Sequence, residues 1–86
     1  MKKRIEIKPH ARKQLQERQI ADDIVRELIR YPGQVLDSYK NRKIAQDVIE
    51  YNKEQFLIRV IYEEMKDHVE VVTVYLTKKI QKYWEG

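Results

Sequence analysis

The hydrophobic period of this chain changes at Pro32-Gly33, and that change constrains the fold more than any other feature. Upstream, apolar residues recur at helical spacing. Ala11 and Leu15 share one face with the polar Arg18 at i, i+4 and i+7, and Ile24, Val25, Leu28 and Ile29 form a denser stripe. Downstream, the period is two in successive short segments. Helices and strands are therefore segregated along the chain, the pattern of an α+β domain rather than of alternating βαβ units. With 86 residues, the chain reads as a single domain spanning 1–86.

The alternation of Lys2–Lys8 predicts a half-buried first strand with one polar face. Pro9 suits a first-turn helix position, and a short, polar helix is expected over His10–Arg18. Gln19-Ile20-Ala21 reads as a break. Asp22 and Asp23 place negative charge at the start of a second helix, which Pro32-Gly33 stops. Strands are expected at Gln34–Tyr39, Lys43–Tyr51, Phe56–Glu63 and Val69–Thr77, separated by polar breaks at Lys40-Asn41, Asn52–Gln55 and Met65–His68. The last two strands are apolar on both faces, which predicts central positions in the sheet. Val71, Thr73 and Tyr75 are expected to oppose Val72, Val74 and Leu76. The tail Lys78–Trp84 places Ile80, Tyr83 and Trp84 at helical spacing. The expected architecture is β-α-α-β-β-β-β: an N-terminal strand, an αα-hairpin and an antiparallel β-meander. The hairpin covers one face of the sheet and leaves the other partly open.

Composition narrows the function classes. The chain contains no Cys, which excludes disulfides, thiolate metal sites and a Cys nucleophile. A domain this small buries too little surface to enclose a large cofactor, so no cofactor is expected. His10 and His68 are far apart in sequence, and no metal site is expected. No apolar run approaches the ~20 residues of a membrane span, and the basic start lacks an apolar region behind it; a cytoplasmic protein is expected.

The net charge of +4 is unevenly placed. Residues 1–18 carry seven Lys/Arg against Glu6 and Glu17, and residues 78–86 carry Lys78, Lys79 and Lys82 against Glu85. The middle of the chain is net acidic. If the first strand pairs inside the sheet, the fold brings both basic ends to one face that would attract a polyanion.

No phosphate-binding glycine loop, zinc-protease helix or nucleophile elbow is present. Individual residues still suit phosphate chemistry. His10 carries an imidazole, a side chain that can act as acid or base near neutral pH, although a helix start is its ordinary alternative. Arg12, Arg18 and Arg59 can hold phosphate oxygens bidentately. Lys78, Lys79 and Lys82 lie close in sequence to Tyr75, Tyr83 and Trp84, a basic-aromatic combination that suits single-stranded nucleic acid; a solvated tail that covers the sheet is the competing reading. Arg59 is the most informative. It interrupts an apolar central strand, where a charge is costly unless it meets an open face or a partner.

Two stretches resemble a known group. His10-Ala11-x-x-x-Leu15-x-x-Arg18-x-Ile20 and Val71-Val72-Thr73-Val74-Tyr75, followed by Lys79-Ile80-x-Lys82-Tyr83-Trp84, are similar to the signatures of a small family in the RelE/ParE toxin clan. The resemblance covers nearly the whole chain. Gln14 stands where that family often has Arg, and Gln19 where it often has Gly. The resemblance implies a RelE/ParE-like fold and the toxin of a type II toxin–antitoxin pair. RelE-like members are metal-independent mRNA endoribonucleases that act with the ribosome, and ParE-like members bind a protein without nuclease chemistry. A RelE-like role implies His10 as acid or base, Arg18, Arg59 and Lys79 as phosphate or transition-state groups, and Arg12, Lys78, Lys82, Tyr83 and Trp84 as RNA contacts. The implied partners are a cognate antitoxin and mRNA or the ribosome, with the chain a monomer or homodimer. A ParE-like binding module and a non-toxic RNA-associated domain are the alternatives.

Overall fold

The computed structural model describes residues 3–86, so the Lys2 end of the expected first strand lies outside the described residues. The elements in chain order are β1 (Arg4–Ile7), α1 (Pro9–Arg18), α2 (Asp22–Arg30), β2 (Gln34–Asp37), β3 (Arg42–Tyr51), β4 (Glu54–Glu64), β5 (His68–Thr77) and α3 (Ile80–Tyr83), with a 3-10 turn at Tyr39–Asn41 between β2 and β3. The class is α+β, with a five-stranded mixed sheet in the order β1-β5-β4-β3-β2.

Pro9 starts α1 at a position whose N–H needs no partner. Ala11 and Leu15 are its buried residues, and Arg18 of the expected stripe stays exposed. Gln19 ends the helix in the left-handed region, with φ 56° and ψ 43°, so a non-glycine residue makes the turn that a glycine makes at least cost. α2 begins with Asp22 and Asp23 in its first turn. The Arg12–Asp22 ion pair, at 2.6 Å, ties α2 to α1. Val25 and Leu28 point inward, whereas Ile24 of the same stripe is 39% exposed.

Pro32 stops α2. Gly33 is not a left-handed cap; its role is close approach. A Cβ there would lie 2.7 Å from Asp47 Cγ and 3.0 Å from the Gln46 carbonyl oxygen. β2 is shorter than expected, because the chain leaves the sheet after Asp37 and Tyr39 is 86% exposed. The β3–β4 break is only Asn52-Lys53, since Tyr51 pairs with Glu54. Both turn residues have positive φ, 52° and 64°, the geometry of a two-residue type I′ hairpin.

β2 to β5 form the expected antiparallel meander. β1 joins β5 in parallel, with Arg4 opposite His68 and Glu6 opposite Glu70. β1 is thus an edge strand rather than an interior one. The register of β4 and β5 shifts between Ile61 and Tyr62. This shift overturns the expected β5 parity: Val69, Val71, Val74 and Leu76 all join the core beneath the helices, because Val72 is the residue taken up by the irregularity. The same core holds Ile5, Ala11, Leu15, Val25, Leu28, Ile58 and Val60.

The opposite face is less open than expected. Leu57 is completely buried there although it is not part of the helix-side cluster. The residues after β5 fold back across this face, and Gln46 in β3 donates from Nε2 to the Tyr83 carbonyl at 3.0 Å. The two basic ends therefore share a face only in part: Arg12, Lys13 and Arg18 belong to the helical layer, while Arg4 of β1, opposite His68, projects to the side that carries Lys78, Lys79 and Lys82 of the tail.

Candidate anion-binding site beneath the C-terminal tail

β4 carries Arg59 on the face turned away from the helices. Its sheet neighbours are Gln46 on β3 and Tyr75 on β5. Arg59 is only 7% exposed and Gln46 is completely buried. Burial of a guanidinium requires partners for its donors. Nε donates to Gln46 Oε1 at 2.9 Å, and Nη1 donates to the Tyr75 hydroxyl oxygen at 2.6 Å. The guanidinium carbon lies 4.2 Å from the centre of the Tyr83 ring, a cation–π contact that closes the site from the tail side.

The Gln46 amide is locked from both ends. Its Nε2 donates to Gln34 Oε1 at 2.8 Å and to the Tyr83 carbonyl at 3.0 Å. Its Oε1 is therefore aimed at Arg59 by β2 and the tail together. Gln34 in turn accepts the Glu85 backbone N–H at 3.0 Å and donates to the Glu85 carbonyl. No buried side-chain nitrogen or oxygen among the described residues lacks a partner.

Every group bonded to Arg59 is neutral, and no ion pair among the described residues includes it. A buried cation held by neutral groups keeps its full charge for an incoming anion. The tail that covers this cation carries three lysines. Lys82 Nζ lies 5.3 Å from the Tyr83 ring centre. Lys79 is exposed, and its backbone N–H is held by the Thr77 hydroxyl at 3.1 Å. Lys78 pairs with Glu54 at 2.7 Å and lies 5.7 Å from the Phe56 ring centre. Trp84 is half-buried at the end of α3.

The structure brings together Arg59, Tyr83 and the lysine-bearing tail, and it separates them from the other expected residues. His10 is exposed in the first turn of α1, and Arg18 is exposed at its end. Both belong to the helical layer, on the other side of the sheet from Arg59. Arg12 is bound to Asp22. Gln14 is committed to the sheet: its Oε1 accepts the Val74 N–H at 2.8 Å, a β5 edge group beyond the reach of β1. Sequence reasoning missed Gln46 and Gln34. The signal was the one that singled out Arg59, a polar residue whose parity mates in the strand, Ile44 and Val48, are apolar.

A second polar cluster lies at the β1–β5 edge. His68 Nδ1 is 2.7 Å from Asp67 Oδ1, and Nε2 is 2.9 Å from Glu70 Oε2. These carboxylates, Asp67 first, hold the imidazole protonated above its ordinary range. Glu6 stands beside them and accepts from Arg4 at 2.9 Å; that bond is the main cause that keeps its carboxyl below the usual range.

No helix among the described residues is long and apolar enough to cross a membrane. No curated protein and no solved structure matches the chain. Residues 7–76 match the family described as Domain of unknown function (DUF4258). That span includes Gln46, Arg59 and Tyr75 and stops short of Tyr83. With the match running from the end of β1 to the end of β5, the chain belongs to the DUF4258 family.

Proposed function

We propose that the chain is the toxin of a type II toxin–antitoxin pair, a cytoplasmic RelE-like endoribonuclease that cuts mRNA without a metal, on a RelE/ParE-like fold. One observation carries this reading: Arg59 is a buried cation with neutral partners only, facing a tail that carries Lys79 and Tyr83. Metal-free RNA cleavage moves the 2′-hydroxyl proton to a base, forms the bond from that oxygen to phosphorus, and expels the 5′-oxygen with a proton from an acid. Negative charge builds on the phosphorane oxygens, where fixed cations act most strongly. Arg59 and Lys79 supply that charge, and the aromatic tail supplies a surface for bases. Tyr75, whose hydroxyl accepts from Arg59 Nη1 at 2.6 Å, is placed for the proton-transfer role that His10 had from sequence.

Controlled expression with mapping of RNA 5′ ends tests the proposal. Growth arrest with ribosome-dependent cleavage is expected, and Arg59→Ala should relieve it. His10→Ala should leave cleavage in place if Tyr75 carries the proton. Absence of cleavage with ribosomes present, or arrest unchanged by Arg59→Ala, overturns the nuclease reading.

A second reading, a ParE-like module that binds a protein without cleaving RNA, is favoured by the helix side. A mainly apolar groove between α2 and the sheet is lined by Ile24, Leu28, Tyr31, Ile49 and Ile58, with Asp23, Glu27 and Asp47 also in its wall, and Tyr31 is 66% exposed. On this reading, Ile24→Asp abolishes arrest and Arg59→Ala does not. An antitoxin is the proposed partner in both cases.

A further inference from the structure

We infer that Glu6, His68 and Glu70 form a binding site for one divalent transition-metal ion, such as Zn2+, that clasps β1 to β5. The site is separate from the Arg59 cluster and goes beyond the proposed nuclease. It arises from the parallel register. Arg4 opposes His68 and Glu6 opposes Glu70, so alternate residues of both strands project onto the face away from the helices. Glu6, His68 and Glu70 each offer one ligand atom, and these atoms lie within 4.8 Å of one another.

The geometry around His68 is that of a metal ligand. A coordinating imidazole donates its second ring N–H to a carboxylate or carbonyl, which sets tautomer and ring orientation. Here Asp67 Oδ1 takes Nδ1 at 2.7 Å, which turns Nε2 toward the two glutamates. Nε2 is 2.9 Å from Glu70 Oε2. A proton bridges this pair; the ion takes its place and releases it, and because two ligand atoms bound to one zinc ion at about 2.0–2.1 Å sit roughly 2.9–3.4 Å apart, the pair is already near its coordinating separation. Glu6 approaches from the neighbouring strand, with Arg4 on one of its oxygens at 2.9 Å.

Partial burial supports a built site rather than a chance surface group. The His68 and Glu70 side chains are 17% and 23% exposed. One imidazole and two carboxylates suit zinc and its neighbours better than magnesium or calcium, which favour all-oxygen shells. Three protein ligands leave a fourth position for water. Because the ligands come from both strands, the ion holds the N-terminal edge strand in place.

The test is calorimetric titration of the chelator-treated protein with Zn2+, together with thermal melts with and without the ion. Wild type should bind one equivalent, and the melting temperature should rise by about 5 °C or more at saturating metal. His68→Asn and Glu70→Gln should each weaken binding at least about tenfold, with folding of both variants verified by circular dichroism. His10→Asn, which removes the other imidazole, should bind like wild type. Failure of wild type to bind at millimolar Zn2+ overturns the inference. Wild-type affinity in His68→Asn, or affinity lost in His10→Asn, overturns it equally by locating the ion elsewhere. Mg2+ replacing Zn2+ with equal affinity would also contradict it.

Discussion

Replacing Arg59 with Met separates a guanidinium kept for a ligand from one that holds the fold. The substitution removes the charge and leaves an unbranched apolar side chain beneath the tail. Two losses follow from the geometry. Gln46 Oε1, completely buried, loses its donor, which costs about 1–3 kcal/mol. The contact with the Tyr83 ring, now 4.2 Å from the guanidinium carbon, is worth about 1–2 kcal/mol. The Tyr75 hydroxyl is half-buried and turns to solvent at small cost. Against these losses stands the relief of burying a cation that has no carboxylate, an effect of several kcal/mol. The two sides offset to within about 2 kcal/mol. In urea unfolding followed by circular dichroism, the midpoint should therefore move by less than about 2 M, at a slope of about 1 kcal/mol per M for a domain of this size. Binding of a fluorescent single-stranded RNA should weaken by at least about tenfold, with a shallower salt dependence. A stability loss above about 3 kcal/mol would refute the reasoning, because the guanidinium would then be a structural rivet. Unchanged RNA affinity would refute it from the other side.

Lys53→Gly should stabilise the protein by about 0.5–1 kcal/mol, since a lysine at φ 64° carries left-handed strain that glycine lacks; an unchanged or lower urea midpoint would contradict this. Gly33→Ala should cost about 1–3 kcal/mol through its contact with Asp47, and most of that loss should return in the double variant with Asp47→Ala, which a thermodynamic cycle measures. His68 has its folded pKa raised above the ordinary 6.5 by Asp67 and then Glu70. Its contribution to stability is therefore complete below that unfolded value and is lost as pH rises through the higher folded value. Melting temperatures from about pH 5 to 9 in chelator should show this decline, and His68→Asn should flatten it. Asp67, held low chiefly by its hydrogen bond to His68, also stabilises the fold, with the opposite pH dependence: its contribution is lost in acid as pH falls through its folded value.

Local periodicity carried much of the fold. The Ile24–Ile29 stripe marked α2, and the two-sided apolar character of β4 and β5 placed them inside the sheet, because both are consequences of neighbours a few residues away. Features that depend on distant pairing were out of reach. The parallel union of β1 and β5 joins residues about sixty positions apart, so neither strand alone reveals the cluster of Glu6, His68 and Glu70. The irregularity at Ile61/Tyr62 shifted β5 parity with no glycine or proline to announce it. At the candidate site, Arg59 was legible as a charge in an apolar row. Its burial was not, because the cover comes from a four-residue helix whose polar sequence says little about where it lies. The placement of His10 shows the limit most plainly: its chemistry was readable, while the side of the sheet it occupies is a property of the whole topology.

The edge position of β1 has a consequence for how the molecule comes into being. Among the described residues its strand partner is β5, so the first strand of this domain has nothing to pair with until the domain's last strand exists. The β2–β5 meander closes through short turns and can assemble early, whereas docking β1 requires joining the two ends of the domain, the slowest kind of contact to form. During that interval, Ile5 and Ile7 and the open edge of β5 are exposed to other chains. Docking of β1 buries Ile5 and pairs that edge of β5.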